Sequence, residues 1–236
     1  GLAFDDLDPD AFASKDRIVA YLEAYAKQVH APIRTGIEVT RVVRNATRPG
    51  FEVRTSDGTL HALRVVVATG PFQRPLIPPI APQGRSISQI HSAEYRNPQQ
   101  LAPGGVLVVG GGSSGVQIAD ELLHAGRKVY LSVGPHDRPP RSYRGIDYCW
   151  WLGVLGEWDK PTPAQGREHV TIAVSGVRGG ETVDFRRLAM RGIELVGTTR
   201  SFDDGIATFE PDLATNVARG DENYLAVLDA ADAYVA

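Results

Sequence analysis

The sequence predicts an α/β fold built around a Rossmann-like parallel sheet, and three observations carry that prediction. The apolar run Val106-Leu107-Val108-Val109 ends in the glycine turn Gly110-Gly111-Gly112-Ser113-Ser114-Gly115. From Ser113 to Ala125, Val116, Ala119, Leu122 and Leu123 then recur at helical spacing. After Gly126, Lys128-Val129-Tyr130-Leu131-Ser132-Val133 reads as the second strand that a right-handed crossover requires. Strand, glycine turn, helix and strand together form the context in which G-x-G-x-x-G binds a dinucleotide. Gly110 serves the tight bend, Gly112 the approach of a pyrophosphate, and Gly115 the close packing of helix on strand. The N–H groups around Ser113 and Ser114 and the positive end of the helix dipole suit phosphate.

The remaining elements follow in order. After an aspartate-rich lead (Asp5, Asp6, Asp8, Asp10), Ser14 is placed to cap a helix over about 15–29, with Ile18, Leu22, Tyr25 and Val29 on one face and Pro32 beyond its end. Ile37–Val43 and Phe51–Thr55 alternate with period two, and Asp57-Gly58 signals a hairpin, so this region reads as a β-meander. Its last member, Arg64 to Gly70, is apolar through its centre, as a strand buried on both faces would be. Pro71, Pro75, Pro78, Pro79 and Pro82 exclude helix and inner strand, which makes this stretch the domain crossing. The expected division is 1–82 and 83–236.

Beyond the second strand of the glycine-turn unit, Pro135 to Arg144 reads as a basic loop and Ile146 to Leu155 as a tryptophan-rich helix. Pro161 to Gly180 is a polar excursion. Asp184 caps a short helix through Met190, and Ile193-Glu194-Leu195-Val196 is a third buried strand. Thr199 to Phe209 folds back across Asp204-Gly205, and Leu213 to Ala236 reads as a helix in two pieces around Gly220.

Ser132 stands where an acidic residue would accept hydrogen bonds from a ribose 2′-OH, and no carboxylate follows until Asp137. Arg127, Arg138 and Arg141 lie near that strand in sequence, and guanidinium groups suit a 2′-phosphate, so NADP is expected over NAD.

Composition narrows the function classes. A net charge of −3 offers no basic surface for nucleic acid or anionic membrane. No apolar run is long enough to span a bilayer, and the expected home is cytoplasmic. Cys149 is the single cysteine, which leaves no redox pair within the chain, and its place beside Trp150 and Trp151 suggests a packed thiol. His30, His61, His124, His136 and His169 are dispersed without ligand spacing, so no metal site is expected.

The helix, the meander, Val66-Val67-Ala68-Thr69-Gly70-Pro71, the Pro-rich crossing and the central glycine motif G-x-G-x-S-G resemble the middle of a flavin-containing monooxygenase of the bacterial NAD(P)/FAD-dependent kind. Arg141-Ser142-Tyr143-Arg144-Gly145-Ile146-Asp147 before Trp150-Trp151 is similar to a stretch that follows the NADPH strand in these proteins. The resemblance implies a Rossmann-like NAD(P)-binding domain plus part of an FAD-binding Rossmann-like domain, the latter within 1–82. It places Ala68, Thr69 and Gly70 where the two nucleotide domains meet. His91 and Tyr95 match two positions of the family fingerprint, while Arg85 and Ile87 depart from the Phe and Gly expected there. The first FAD-binding unit is expected before Gly1, and further FAD-domain strands after Ala236.

The implied chemistry uses the cofactors FAD and NADPH: a hydride passes to the flavin, and one atom of O2 passes to a small organic substrate. A homo-oligomer is compatible with this reading. Two alternatives stay open: a pyridine-nucleotide disulfide reductase, which needs a dithiol, and a nonenzymatic NAD(P)-binding redox sensor.

Overall fold

Two units, Gly1–Gln73 and Arg74–Ala236, divide the protein in a computed structural model that describes residues 2–4, 11–70, 74–80, 87–161, 170–203 and 205–236. Asp5, Asp6, Asp8, Asp10, Pro71, Pro82, Arg85, His169 and Asp204 lie outside the described residues.

In the first unit, the Ser14 side chain accepts a hydrogen bond from the Arg17 N–H and opens α1, Lys15–Gln28, as the capping pattern requires. The meander consists of β1 (Val39–Arg44), β2 (Phe51–Thr55) and β3 (Gly58–Ala62), paired antiparallel in the order β1-β2-β3. Val42 faces Val53, which in turn faces Leu60. The hairpin turn sits on Ser56-Asp57, one residue earlier than the sequence signal, because Gly58, at φ 110°, already pairs with Thr55. Arg64 to Gly70 departs from expectation. It forms no ladder, and Val66 and Val67 are 87% and 78% exposed. A strand buried on both faces needs neighbours in a sheet, and no described strand pairs with this segment.

The second unit is organised by three parallel strands, β4 (Val106–Val109), β5 (Val129–Ser132) and β10 (Glu194–Val196), in the order β10-β5-β4. Their register runs from Val106 opposite Val129 to Val109 opposite Ser132, with Val196 opposite Ser132 on the other side. This is the 3-2-1 half of a dinucleotide-binding sheet. Between β4 and β5, α2 (Ser113–His124) buries Val116, Ala119 and Leu122 at intervals of about one turn. Leu122 and Leu131 are fully buried in the shared core with Val129, Val133, Phe185 and Ile193, and burial of each leucine contributes about 1.5–3 kcal/mol.

The segment between β5 and β10 is more ordered than its polar composition suggests. β6 (His136–Asp137) pairs parallel with β9 (Thr171–Ile172), and β7 (Ser142–Tyr143) forms a tight hairpin with β8 (Ile146–Asp147). The turn residues Arg144 and Gly145 both have positive φ, as a type I′ turn demands. Asp147 caps α3 (Tyr148–Val154), in which Trp151 is buried and donates to the Tyr143 carbonyl at 3.2 Å. Cys149 is exposed rather than packed, because two residues along a helix turn it about 200° from the buried Trp151. A one-turn α4 (Val177–Gly180), broken by left-handed Arg178 and Gly179, leads to α5 (Phe185–Met190), capped by Asp184. The hairpin of β11 (Thr199–Asp203) and β12 (Ile206–Phe209) follows β10.

The last helix, α6 (Leu213–Val235), is continuous, not two pieces. Gly220 sits inside it because His136 lies against its Cα: an added Cβ would meet His136 Nε2 at 2.5 Å and Arg138 Cγ at 3.2 Å. In an open helix Gly→Ala stabilises by up to about 1 kcal/mol. Here Gly220→Ala is expected to destabilise by about 1–3 kcal/mol through overpacking, measured by urea denaturation.

Candidate nucleotide-binding site

The glycine turn assembles as its spacing requires. Gly110 adopts φ 107°, a conformation that disfavours any Cβ, and its N–H continues the ladder to the Ser132 carbonyl at 3.0 Å. A Cβ on Gly115 would overlap the Gly110 carbonyl oxygen, so this glycine sets the approach of α2 to β4. Gly112 is the residue before the helix, and its carbonyl accepts the first helical bond from the Val116 N–H at 3.0 Å. The N–H groups of Ser113, Ser114 and Gly115 therefore have no intrahelical acceptor and stand at the positive end of the helix dipole. A dinucleotide pyrophosphate fits this arrangement: the turn is bare of side chains at Gly110, and the exposed Ser114 flanks the free donors.

Two members of the turn are engaged by the protein itself. Ser113 Oγ donates to the Ile172 carbonyl at 2.8 Å and accepts from the Val174 N–H at 3.1 Å. A Cβ on Gly112 would stand 3.2 Å from Thr171 Cβ, so the space beside this glycine is taken up by the Thr171 side chain. Sequence reasoning missed this neighbour, although Thr171-Ile172-Ala173-Val174 carries the β-branched signature of a strand.

The residues singled out for a 2′-phosphate do not gather at one surface. Ser132, 2% exposed, donates to the Gly197 carbonyl and accepts from Thr199 Oγ1, both at 2.9 Å, locking β5 to the segment after β10. Arg138 is buried. Its Nε and one terminal nitrogen bind Asp221 at 3.1 and 2.6 Å, and its guanidinium lies 4.8 Å from the Tyr224 ring centroid. Arg141 pairs with Asp147 at 2.8 Å, and Arg127 is bound to the Gly104 carbonyl at the end of the sheet opposite the turn. His91 Nδ1 accepts from the Ala93 N–H at 3.1 Å, which stabilises its own loop. Ala68, Thr69 and Gly70 belong to the other unit.

Two carboxylates organise the charges around the core. At Asp120, burial pushes the pKa up, but hydrogen bonds from Arg178 and Arg191 outweigh it and hold the group below the usual carboxylate range. Asp221 is lowered first by Arg186, against burial, and further by Arg138. His136 is fully buried. Its Nδ1 binds the Gly134 carbonyl at 3.0 Å, Nε2 has no hydrogen-bond partner, and desolvation lowers its pKa. Among the described residues, no group of three His, Cys, Asp or Glu side chains is arranged to hold a metal.

With this geometry in view, the comparisons with known proteins decide the family. The model of the pyridine nucleotide-disulphide oxidoreductase family matches residues 6–144. The chain belongs to that family. It is 44% identical over 151 residues to an uncharacterised CzcO-like oxidoreductase of Geobacillus kaustophilus, covering 63% of this chain and 42% of the relative. It is 35% identical over 193 residues to the indole-3-pyruvate monooxygenase YUCCA1 of Oryza sativa subsp. japonica, covering 80% and 47%. A flavin monooxygenase from Stenotrophomonas maltophilia shares the fold, with a TM-score of 0.58 at 21% identity over 86% of this chain and 54% of that one. The chain thus spans about half the length of the curated relatives it matches.

Two expectations follow from the charged groups. The folded pKa of His136 lies below the unfolded value of about 6.5, so the unfolded chain takes up the proton first. This contribution to stability is complete above about pH 6.5 and is lost as the pH falls through the folded value. Asp120 and Asp221 add a second loss below about pH 4. Urea midpoints measured from about pH 7.5 down to about 3.5 should decline in these two windows. For Arg138→Ala, the expected result is a loss of roughly 1.5–3 kcal/mol in a denaturant melt, with the ratio of NADPH to NADH affinity unchanged.

Proposed function

We propose that this chain forms the nucleotide-binding part of a flavin-dependent monooxygenase that uses NADPH, FAD and O2 to oxygenate a small organic substrate. The observation that carries the reading is the βαβ unit with its turn at Gly110–Gly115: three first-turn N–H groups left without helical acceptors at the end of a parallel 3-2-1 sheet. Similarity to proteins named as indole-3-pyruvate and flavin-containing monooxygenases supports the direction of the chemistry. Ser132 places no carboxylate near the ribose, which leaves room for a 2′-phosphate.

In this reading, residues 83–236 hold the nicotinamide nucleotide and residues 1–82 contribute to the FAD side. When bound, NADPH and FAD would supply the two electrons with which one atom of O2 is transferred to the substrate and the other leaves as water. The protein's own work is binding and orientation. Backbone donors of Ser113, Ser114 and Gly115 hold the pyrophosphate, Gly110 and Gly115 keep the helix close, and Ser114 adds an exposed hydroxyl. The disulfide-reductase alternative needs a dithiol, whereas this sequence carries Cys149 alone.

The full-length protein is expected to purify with the absorbance of bound flavin and to consume O2 when given NADPH. A colourless protein that binds no added FAD would overturn the proposal. So would NADPH oxidation that reduces a disulfide substrate with no O2 uptake.

A further inference from the structure

We propose that Thr171 is a further nucleotide-binding residue, its hydroxyl donating a hydrogen bond to the pyrophosphate of a dinucleotide seated on the glycine turn. The inference rests on the dinucleotide reading above and adds a residue from outside the turn.

Position is the first argument. Thr171 flanks Gly112, the residue immediately before α2: a Cβ built on that glycine would lie 3.2 Å from Thr171 Cβ and 3.6 Å from both its Cγ2 and its Oγ1. Thr171 therefore stands beside the residue that opens α2, whose first-turn donors would face the phosphates. Rigidity is the second. Thr171 is held through β9, which pairs with β6 in a register that sets His136 opposite Thr171. Ser113 Oγ then ties the next residues to the helix through the Ile172 carbonyl and the Val174 N–H. A donor fixed in this way loses little freedom on binding, so less of its hydrogen-bond energy is offset. The third argument is that the group is unspent. The hydroxyls of Ser113 and Ser132 are consumed by the protein, whereas that of Thr171 makes no hydrogen bond among the described residues. A β-branched residue in a short strand needs no hydroxyl, and Val would serve packing equally.

The phosphate cradle then has three sides: the turn backbone, the start of α2 with Ser114, and Thr171 from the segment between α3 and α5. Ser113 becomes a positioning residue, acting through the strand it anchors.

The test uses the full-length protein and ADP-ribose, which carries the pyrophosphate but cannot transfer a hydride. Affinities are measured by calorimetry for the parent, Thr171→Val and Thr171→Ser, alongside thermal melts. Thr171→Val is expected to bind roughly tenfold or more weakly, with a melting temperature within about 2 °C of the parent, and Thr171→Ser to restore most of the affinity. Thr171→Val binding within about twofold of the parent would overturn the proposal. Equal weakening in both variants would overturn it too, since that result reports packing and not a hydroxyl. A parent that fails to bind ADP-ribose would overturn the dinucleotide reading itself, and this proposal with it.

Discussion

The first turn of α2 lies so close to the end of β4 that nothing larger than a hydrogen on Gly115 fits beneath the Gly110 carbonyl. From this approach follow the direction in which the helix leaves the sheet, the faces of Val116, Ala119 and Leu122 that reach the core, and the exposure of three N–H groups at one point. A wider helix-to-strand spacing would lose the core contacts and scatter the donors together. The exposed donors and the close packing are one geometric fact, which is why the turn reads so clearly in the sequence.

Charge performs a second kind of fixing, centred on α5. Arg186 within that helix reaches Asp221 on α6, while Arg191 just after it reaches Asp120 on α2. Each carboxylate also takes a second arginine, Arg138 at Asp221 and Arg178 at Asp120. The short helix is thereby bridged to both of its longer neighbours. Arg186 is the more exposed and is screened by solvent, so the buried Arg138 carries more of the Asp221 link. This commitment explains why an arginine that looks suited to phosphate in the sequence is occupied elsewhere in the fold.

Legibility in the sequence follows the range of the interaction. Caps, turns and periodic faces are local, so α1 with its Ser14 cap, the glycine turn and α5 behind Asp184 are readable at nearly their observed bounds. What depends on a distant partner is not. Gly220 looks like a helix break because His136, which makes a glycine necessary there, lies in another element. Thr171 looks like part of a polar excursion because its neighbour Gly112 is remote in sequence. Arg64 to Gly70 has the composition of an inner strand, and composition cannot supply the neighbours that would make it one. Within the site, the turn residues are legible, and the destinations of Ser132, Arg138 and Arg141 are not.

The order β10-β5-β4 also carries a kinetic meaning. β4 and β5 are joined through a single helix, whereas Glu194 must find Tyr130 across all of β6 to α5. Closing the longer loop costs more conformational entropy and is repaid only when the third strand docks. The β4-α2-β5 unit can thus form first and act as a template, with β10 and the helices around it condensing later. On such a route the glycine turn and its first-turn N–H groups would exist before Thr171 comes to stand beside Gly112, so this corner of the fold would be assembled in two stages separated in time.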